Sequence, residues 1–271
     1  MVSSRPGPAP PDQADVVDLR PLDTAAATAL AREVGAELPD RMIAEPVRRA
    51  DGNPSFARQL ILAAAAHPGD ETLPESLDAL LVARLDTLPA VDRVVVQDAS
   101  VIGQQVPLDV LETVRHGPAP DGWVLRVGMF LSADGDGVLR FRHDLFRQAA
   151  YRSMAFQRRQ SLHRAVGMVL ESRDADDAVL ALHFSRGADA PRAWRYASRA
   201  GLDAHDKHAV AEASTLLGVA LDSAEDAGAD AEAIAEIGEV LGDVHEVRGA
   251  FAGAEGSYRK ALATGRQARD R

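Results

Sequence analysis

The sequence predicts a mainly α-helical protein that carries one small β-hairpin. Aromatic residues make up only 4% of the 271 residues and alanine is abundant, which favours closely packed helices over sandwiches or barrels. Apolar residues recur at helical spacing along most of the chain. The clearest strand pattern lies at residues 138–141, directly after an Asp-Gly turn at 134–137 that is typical of a hairpin.

Composition and charge exclude several classes of function. The net charge of -11 argues against direct nucleic-acid binding, because such domains usually carry a basic face. The chain contains no cysteine, which excludes disulfides and thiolate metal sites. No apolar run approaches the length of a membrane span, and no secretory signal is present at the N-terminus. We therefore expect a cytoplasmic protein without a membrane partner.

The N-terminal part divides into a tail, a short strand and helices. Residues 1–15 are rich in proline and are expected to be a disordered tail. Residues 16–19 have a short apolar pattern that fits a strand. Asp23 is expected to cap a first helix that ends at Gly35, and a second helix runs from about residue 39 to residue 50.

The tripeptide Gly52-Asn53-Pro54 joins the second helix to a third. Gly52 suits the left-handed conformation that ends many helices. Pro54 suits the first helical turn, where its missing N–H would be unpaired in any case. The simplest interpretation of this tripeptide is a turn between two helices.

Residues 73–155 combine three predicted helices with a hairpin. The first helix lies between Pro74 and Pro89, the second ends at Gly103, and the third begins at Pro107. Three helices followed by a hairpin are the elements of a winged-helix domain. The strong negative charge favours a structural role for such a domain over DNA reading.

The hairpin is expected to pair residues 123–131 with residues 138–141. The second of these strands leads directly into a helix through His143 and Asp144. Asp144 is expected to act as the N-cap, because its carboxylate can accept from free backbone N–H groups. His143, beside the positive end of the helix dipole, could equally face a phosphate.

Residues 156–271 are predicted to form a repeat of paired helices. Small and aromatic positions recur at a constant offset, which exceeds the usual tetratricopeptide period of about 34 residues. Residues 159–190 resemble a further, degenerate pair. The matching positions are Gly201, Ala213, Leu217 and Ala220, followed 41 residues later by Gly242, Ala254, Tyr258 and Ala261.

The order of these motifs resembles STAND and AAA-type signalling ATPases of the bacterial LuxR-like regulator and cyclase-associated kind. The resemblance rests on V-V-D-L-R-P-L-D at 16–23, Gly-Asn-Pro at 52–54, and Arg-His-Asp at 142–144 in place of Met-His-Asp. It implies that residues 16–68 are the last strand of the ATPase core and a helical lid. Residues 73–155 would be the winged helix, and residues 156–271 tetratricopeptide-like repeats.

The same resemblance implies remnant nucleotide contacts. In the family, the proline of the Gly-x-Pro turn lies against adenine, which points to Gly52, Asn53 and Pro54 here. The histidine of the family motif reaches the β-phosphate of ADP, which points to His143 and Asp144. ATP or ADP is the cofactor of the full-length family, whereas no cofactor is expected for this chain alone.

The elements of ATP hydrolysis are missing from the sequence. The chain has only two lysines, Lys207 and Lys260, and neither follows a glycine, so no P-loop is present. No acidic Walker B residue follows an apolar strand. We therefore expect no enzymatic activity and no metal site.

The sequence favours a regulatory fragment of such an ATPase, whose repeats bind an inducer or a protein partner. A separate ATPase core is a further candidate partner. The alternative is a free-standing tetratricopeptide-like adaptor for protein–protein interaction. A DNA-binding winged helix is the third hypothesis, which the charge disfavours.

Overall fold

The computed structural model describes residues 21–35, 38–66 and 77–269, and it is mainly helical. The chain divides into two compact units between Ala83 and Arg84, and each unit is considered by itself. The predicted tail at 1–15 and the predicted strand at 16–19 lie outside the described residues. Among the described helices, none combines the length and hydropathy that crossing a membrane requires.

The N-terminal unit is built on three helices: α1 (Thr24–Val34), α2 (Asp40–Ala50) and α3 (Pro54–Ala66). Asp23 caps α1 as expected, since its Oδ1 accepts from the N–H of Ala26 at 2.7 Å. A further helix, α4 (Leu77–Asp86), crosses the division between the units. The three helices share a small apolar core formed by Ala27, Ala31, Ile43, Val47 and Ile61.

The C-terminal unit begins with helices around a three-stranded antiparallel sheet. Its strands have the order β1-β3-β2, and Val106 lies opposite Leu139 while Ser132 lies opposite Arg140. The elements are α5 (Ala90–Ile102), β1 (Gln105–Pro107), α6 (Leu108–Arg115), α7 (Trp123–Arg126), β2 (Leu131–Ala133), β3 (Val138–Phe141) and α8 (Asp144–Arg152).

The structure corrects the predicted hairpin in two respects. Residues 123–131 are not one strand: Trp123 begins the short helix α7, and β2 starts only at Leu131. Trp123 and Val127 are both buried and lie four residues apart, which is helical spacing. The third strand, β1, was not predicted, because three residues are too few to establish an alternating pattern.

Six further helices follow, and each packs against the next. Residues of α10, α11, α12 and α13 contribute to one apolar core, which includes Phe184, Leu217 and Leu241. The first helix of the series, α9, also packs on α5 and α6. The six are α9 (Phe156–Glu171), α10 (Asp177–Arg186), α11 (Ala190–Asp206), α12 (Val210–Ser223), α13 (Ala231–Val247) and α14 (Phe251–Arg269).

Small residues mark the closest approaches between these helices. A Cβ added to Gly201 in α11 would lie 2.6 Å from Cδ2 of Leu217 in α12. A Cβ added to Gly242 in α13 would overlap the ring of Tyr258 in α14. Both contacts join residues that the 41-residue offset relates, so the sequence correspondence also describes equivalent contacts in the two helix pairs.

Candidate functional site

The turn at Gly52 depends on the absence of a side chain. Gly52 has φ 74°, a conformation that other residues rarely adopt. A Cβ at this position would also lie 2.7 Å from the carbonyl oxygen of Leu22 and from Cβ of Pro21. The N–H of Leu22 donates to the carbonyl oxygen of Gly52 at 2.8 Å. The segment before α1 is therefore fixed directly against the predicted adenine turn.

The next two residues start helix α3. Oδ1 of Asn53 accepts from the N–H of Phe56 at 3.1 Å, which makes Asn53 the N-cap. Pro54 is the first residue of the helix and is exposed. Helix capping and the close approach to Leu22 explain Gly52 and Asn53 without a ligand. The exposed ring of Pro54 is the part of this turn that remains available to contact one.

His143 lies at the junction between β3 and α8. It is exposed, its backbone is extended with φ -144° and ψ 144°, and it occupies the N-cap position of α8. The side chain of His143 makes no capping hydrogen bond to α8. The ring centroid of His143 lies 5.9 Å from that of Phe146 in the first turn. An exposed imidazole beside helix N–H groups is an arrangement that can donate to an anionic oxygen.

The structure shows that the predicted capping role of Asp144 is wrong, because this residue is the first residue of α8 and not its N-cap. The carboxylate of Asp144 instead accepts from Nε of Arg147 at 2.8 Å and from the amide nitrogen of Gln148. A carboxylate in the first turn is favourable beside the helix dipole. It also places negative charge next to His143, which opposes the binding of a second anion there.

The five predicted contact residues thus form two groups. Gly52, Asn53 and Pro54 share one turn in the N-terminal unit, whereas His143 and Asp144 share one helix start in the C-terminal unit.

A buried pair of histidines lies next to α8, and it was not predicted from the sequence. Nδ1 of His163 in α9 lies 3.2 Å from Nδ1 of His183 in α10. The hydroxyl of Tyr151, in α8, lies 2.8 Å from Nε2 of His163. The three side chains therefore link the helix that carries His143 to the first pair of the helical series.

Burial keeps both imidazoles neutral. Burial, the repulsion that a protonated His183 would exert, and the positive charges of Arg186 and Arg159 together lower the pKa of His163 to about 3. Burial and Arg186 lower the pKa of His183 to about 4. With both rings neutral, one Nδ1 must donate to the other. If His163 donates, its Nε2 is free to accept from the Tyr151 hydroxyl.

An ionic cluster joins α5 and α6 to α9. The carboxylate of Asp98, in α5, is almost fully buried and accepts from Arg115 at 2.7 Å and from Arg158 at 2.6 Å. A second buried carboxylate, Asp92, accepts from two nitrogens of Arg126 at 2.5 and 2.9 Å. These hydrogen bonds lower the pKa of Asp92. Both carboxylates have fixed partners, so neither is available as a general base.

Two clefts lie along the helical series. The smaller, of about 250 Å³, contains the ion pairs Arg199–Asp177 at 2.9 Å and Lys207–Asp203 at 2.6 Å, so much of its charge is already paired. The larger, of about 600 Å³, has an excess of carboxylates and suits a cationic group better than an anion. Its polar lining includes Arg164, Ser185, Asp189, Asp222, Ser223 and Asp226.

In the part of the chain that the structure describes, no group of three or more His, Asp or Glu side chains is placed to hold a metal ion. Comparisons with models of known protein families, with characterised proteins and with solved structures found no match.

Proposed function

We propose that the chain is a regulatory fragment of a STAND or AAA-type signalling ATPase, with no catalytic step of its own. Residues 16–68 would be the last core strand and the helical lid, and residues 73–155 the winged helix. Residues 156–271 would be tetratricopeptide-like repeats that bind an inducer or a protein. The observation that carries the proposal is the exposed His143 at the N-cap of α8, whose side chain makes no capping hydrogen bond.

The proposed role of His143 is to donate an N–H to a phosphate oxygen of ADP held by an ATPase core. ADP supplies the anionic β-phosphate, and the positive end of the α8 helix dipole favours negative charge there. The adjacent carboxylate of Asp144 disfavours a free anion, so this chain alone is expected to bind ADP poorly.

The buried histidine pair offers a physical connection through which a movement of the repeats could reach α8. Tyr151 belongs to α8, and its hydroxyl contacts His163 of the first helix pair. A partner that shifts α9 or α10 would strain this hydrogen bond and move α8 with it. Release of the phosphate contact at His143 would then accompany partner binding.

The proposal requires an ATPase core that this chain does not contain. The test is to sequence the DNA upstream of the coding region and the adjacent genes for Gly-x-x-x-x-Gly-Lys-Ser/Thr, and to express that protein or segment with this chain. We expect the two to co-purify as a complex. If no P-loop sequence is encoded there, or if the encoded core does not bind, the proposal is wrong.

One observation favours the adaptor as a second candidate. The exposed face of α13 carries five carboxylates at intervals of three and four residues, which places them in one row. In the described part of the chain none of the five forms an ion pair, although Asp243 and Glu246 accept from the hydroxyl of Tyr258. Repulsion between these like charges destabilises the helix, and a basic partner would relieve that repulsion. The row consists of Glu232, Glu236, Glu239, Asp243 and Glu246.

The adaptor hypothesis predicts salt-dependent binding of basic peptides. A lysine-rich amphipathic peptide should bind the full chain, and Glu236→Lys with Glu239→Lys should weaken that binding. Glu112→Lys is the matched control, because Glu112 is also an exposed carboxylate on a helix. Equal binding by the double variant and the control would reject the α13 surface as the binding site.

A further inference from the structure

The last helix, α14, exposes an apolar face. Phe251 and Leu262 retain 70% and 59% of their accessible surface. They are eleven residues apart, which is about three helical turns, so they lie on the same face. Tyr258 lies between them on this face and is half-buried. Large apolar side chains aligned in this way are typical of a surface that another helix covers.

The preceding pair shows how the equivalent face is used. At the 41-residue offset, Phe251 and Leu262 of α14 correspond to Val210 and Leu221 of α12. Leu221 is buried in the core of the helical series, and Val210 packs against that core. Residues of α13, including Leu241, belong to the same core. The face that α13 covers on α12 is therefore the face that stays open on α14.

A polar contact supports the same correspondence. The guanidinium of Arg248, at the end of α13, donates to Oγ of Ser214 in α12 at 2.8 Å. The residue equivalent to Ser214 in α14 is Glu255. A helix that covers α14 should accordingly bring a cation to Glu255, in the position that Arg248 takes over Ser214.

The face of α14 supplies such a cation itself. Arg259 lies one turn after Glu255, and the two form an exposed ion pair at 2.6 Å. In an antiparallel arrangement with twofold symmetry, Phe251 of one copy would lie beside Leu262 of the other. The same arrangement brings Glu255 near the second copy's Arg259. A surface with this reciprocal pattern is complementary to itself, as twofold interfaces require.

We propose that the chain forms a homodimer through α14, with the Phe251, Glu255, Tyr258, Arg259 and Leu262 face packed antiparallel against the same face of a second copy. A contact of one helix per subunit is at the small end of specific interfaces, so the dimer is in exchange with the monomer. The dimer does not depend on nucleotide or on an ATPase core. It would place two helical series back to back at their α13–α14 pairs.

The test is the mass of the full-length chain measured by light scattering or sedimentation over a range of concentrations. The mass should rise from the monomer value of 28.8 kDa towards twice that value as concentration increases. Phe251→Glu and Leu262→Glu should each weaken association at least about tenfold. Met168→Glu is the matched control, because Met168 is an exposed apolar residue of α9 and lies outside this face.

Exchanging the charges of Glu255 and Arg259 distinguishes this interface from nonspecific association. Glu255→Arg should weaken the dimer, and the double variant Glu255→Arg with Arg259→Glu should restore it. Thermal unfolding of every variant shows whether the fold is intact. A chain that stays monomeric at all concentrations would overturn the proposal. So would a dimer that persists in folded Phe251→Glu and Leu262→Glu variants, since another surface would then form it.

Discussion

His163 and His183 face each other through their Nδ1 atoms, 3.2 Å apart, in the interior of the C-terminal unit. Neither ring has a carboxylate partner in this contact; Arg186 lowers the proton affinity of both rings further, and Arg159 lowers that of His163. The folded protein therefore holds both imidazoles in the neutral form. Their protonation must accompany loss of the packing among α8, α9 and α10.

The stability of the protein should fall as the solution becomes more acidic. The pKa of each histidine is lower in the folded state than its usual value of 6.5, so the unfolded state binds more protons. Stability is fully present above pH 6.5 and is lost as pH falls towards the folded values. We expect the free energy of unfolding to drop by on the order of 2 kcal/mol for each histidine between pH 7 and pH 5.

Urea unfolding at both pH values measures this effect. The double variant His163→Gln with His183→Gln removes both titrating groups and should show a smaller drop. An identical pH dependence in the original and the double variant would contradict the assignment.

Two glycine substitutions should have opposite effects. Gly242→Ala places a methyl group into the ring of Tyr258 and should destabilise the protein by about 1–3 kcal/mol. Gly256 lies within α14 with nothing within 4 Å of an added Cβ. Gly256→Ala should therefore stabilise the helix by about 0.5–1 kcal/mol. Calorimetric melting of both variants is the measurement, and a shift in the same direction for both would contradict the helix contact.

The assignment of His143 as the N-cap of α8 can be tested by introducing a side chain that caps the helix. Because His143 holds the N-cap position without a side-chain hydrogen bond, His143→Asp should stabilise the protein by about 0.5–2 kcal/mol. Asp144→Ala should cost less than Asp230→Ala, since Asp230 is a true cap that accepts from two backbone N–H groups of α13. Urea midpoints for the three variants would contradict this placement if Asp144→Ala were the most damaging.

Loss of the Asp98 carboxylate should lower the stability of the protein. Asp98→Ala leaves the largely buried guanidinium of Arg115 without its ionic partner and should destabilise the protein by about 3–5 kcal/mol. Asp86→Ala is the control, because the Arg93–Asp86 pair is more exposed and should contribute about 0–1 kcal/mol. Similar losses for the two variants in chemical denaturation would show that burial does not determine the contribution.

Helix ends were predicted well because capping chemistry is local. Asp23, Pro54 and Gly103 each occupy a helix boundary close to the position that their residue types favour. The cap of α8 was misplaced by one residue. Asp144 has a better capping side chain than His143, but its backbone is already helical, and the extended N-cap conformation belongs to His143.

Contacts between distant segments followed from the sequence only where a repeat encoded them. The 41-residue offset pointed to Gly242 and Tyr258, and these two residues are in contact. The meeting of His163 with His183 has no such signature, because it depends on how α9 and α10 pack. The three residues of β1 were likewise missed, since pairing with β3 and not local pattern makes them a strand.

The most direct test of the proposed function is the ADP content of this chain in complex with its ATPase core. After co-purification, the complex should retain ADP, and His143→Asn should reduce the retained ADP severalfold. The control is His116→Asn, because His116 is also exposed and asparagine tolerates its φ of 58°. ADP content that is unchanged by His143→Asn, or lowered equally by both variants, would contradict a phosphate contact at His143.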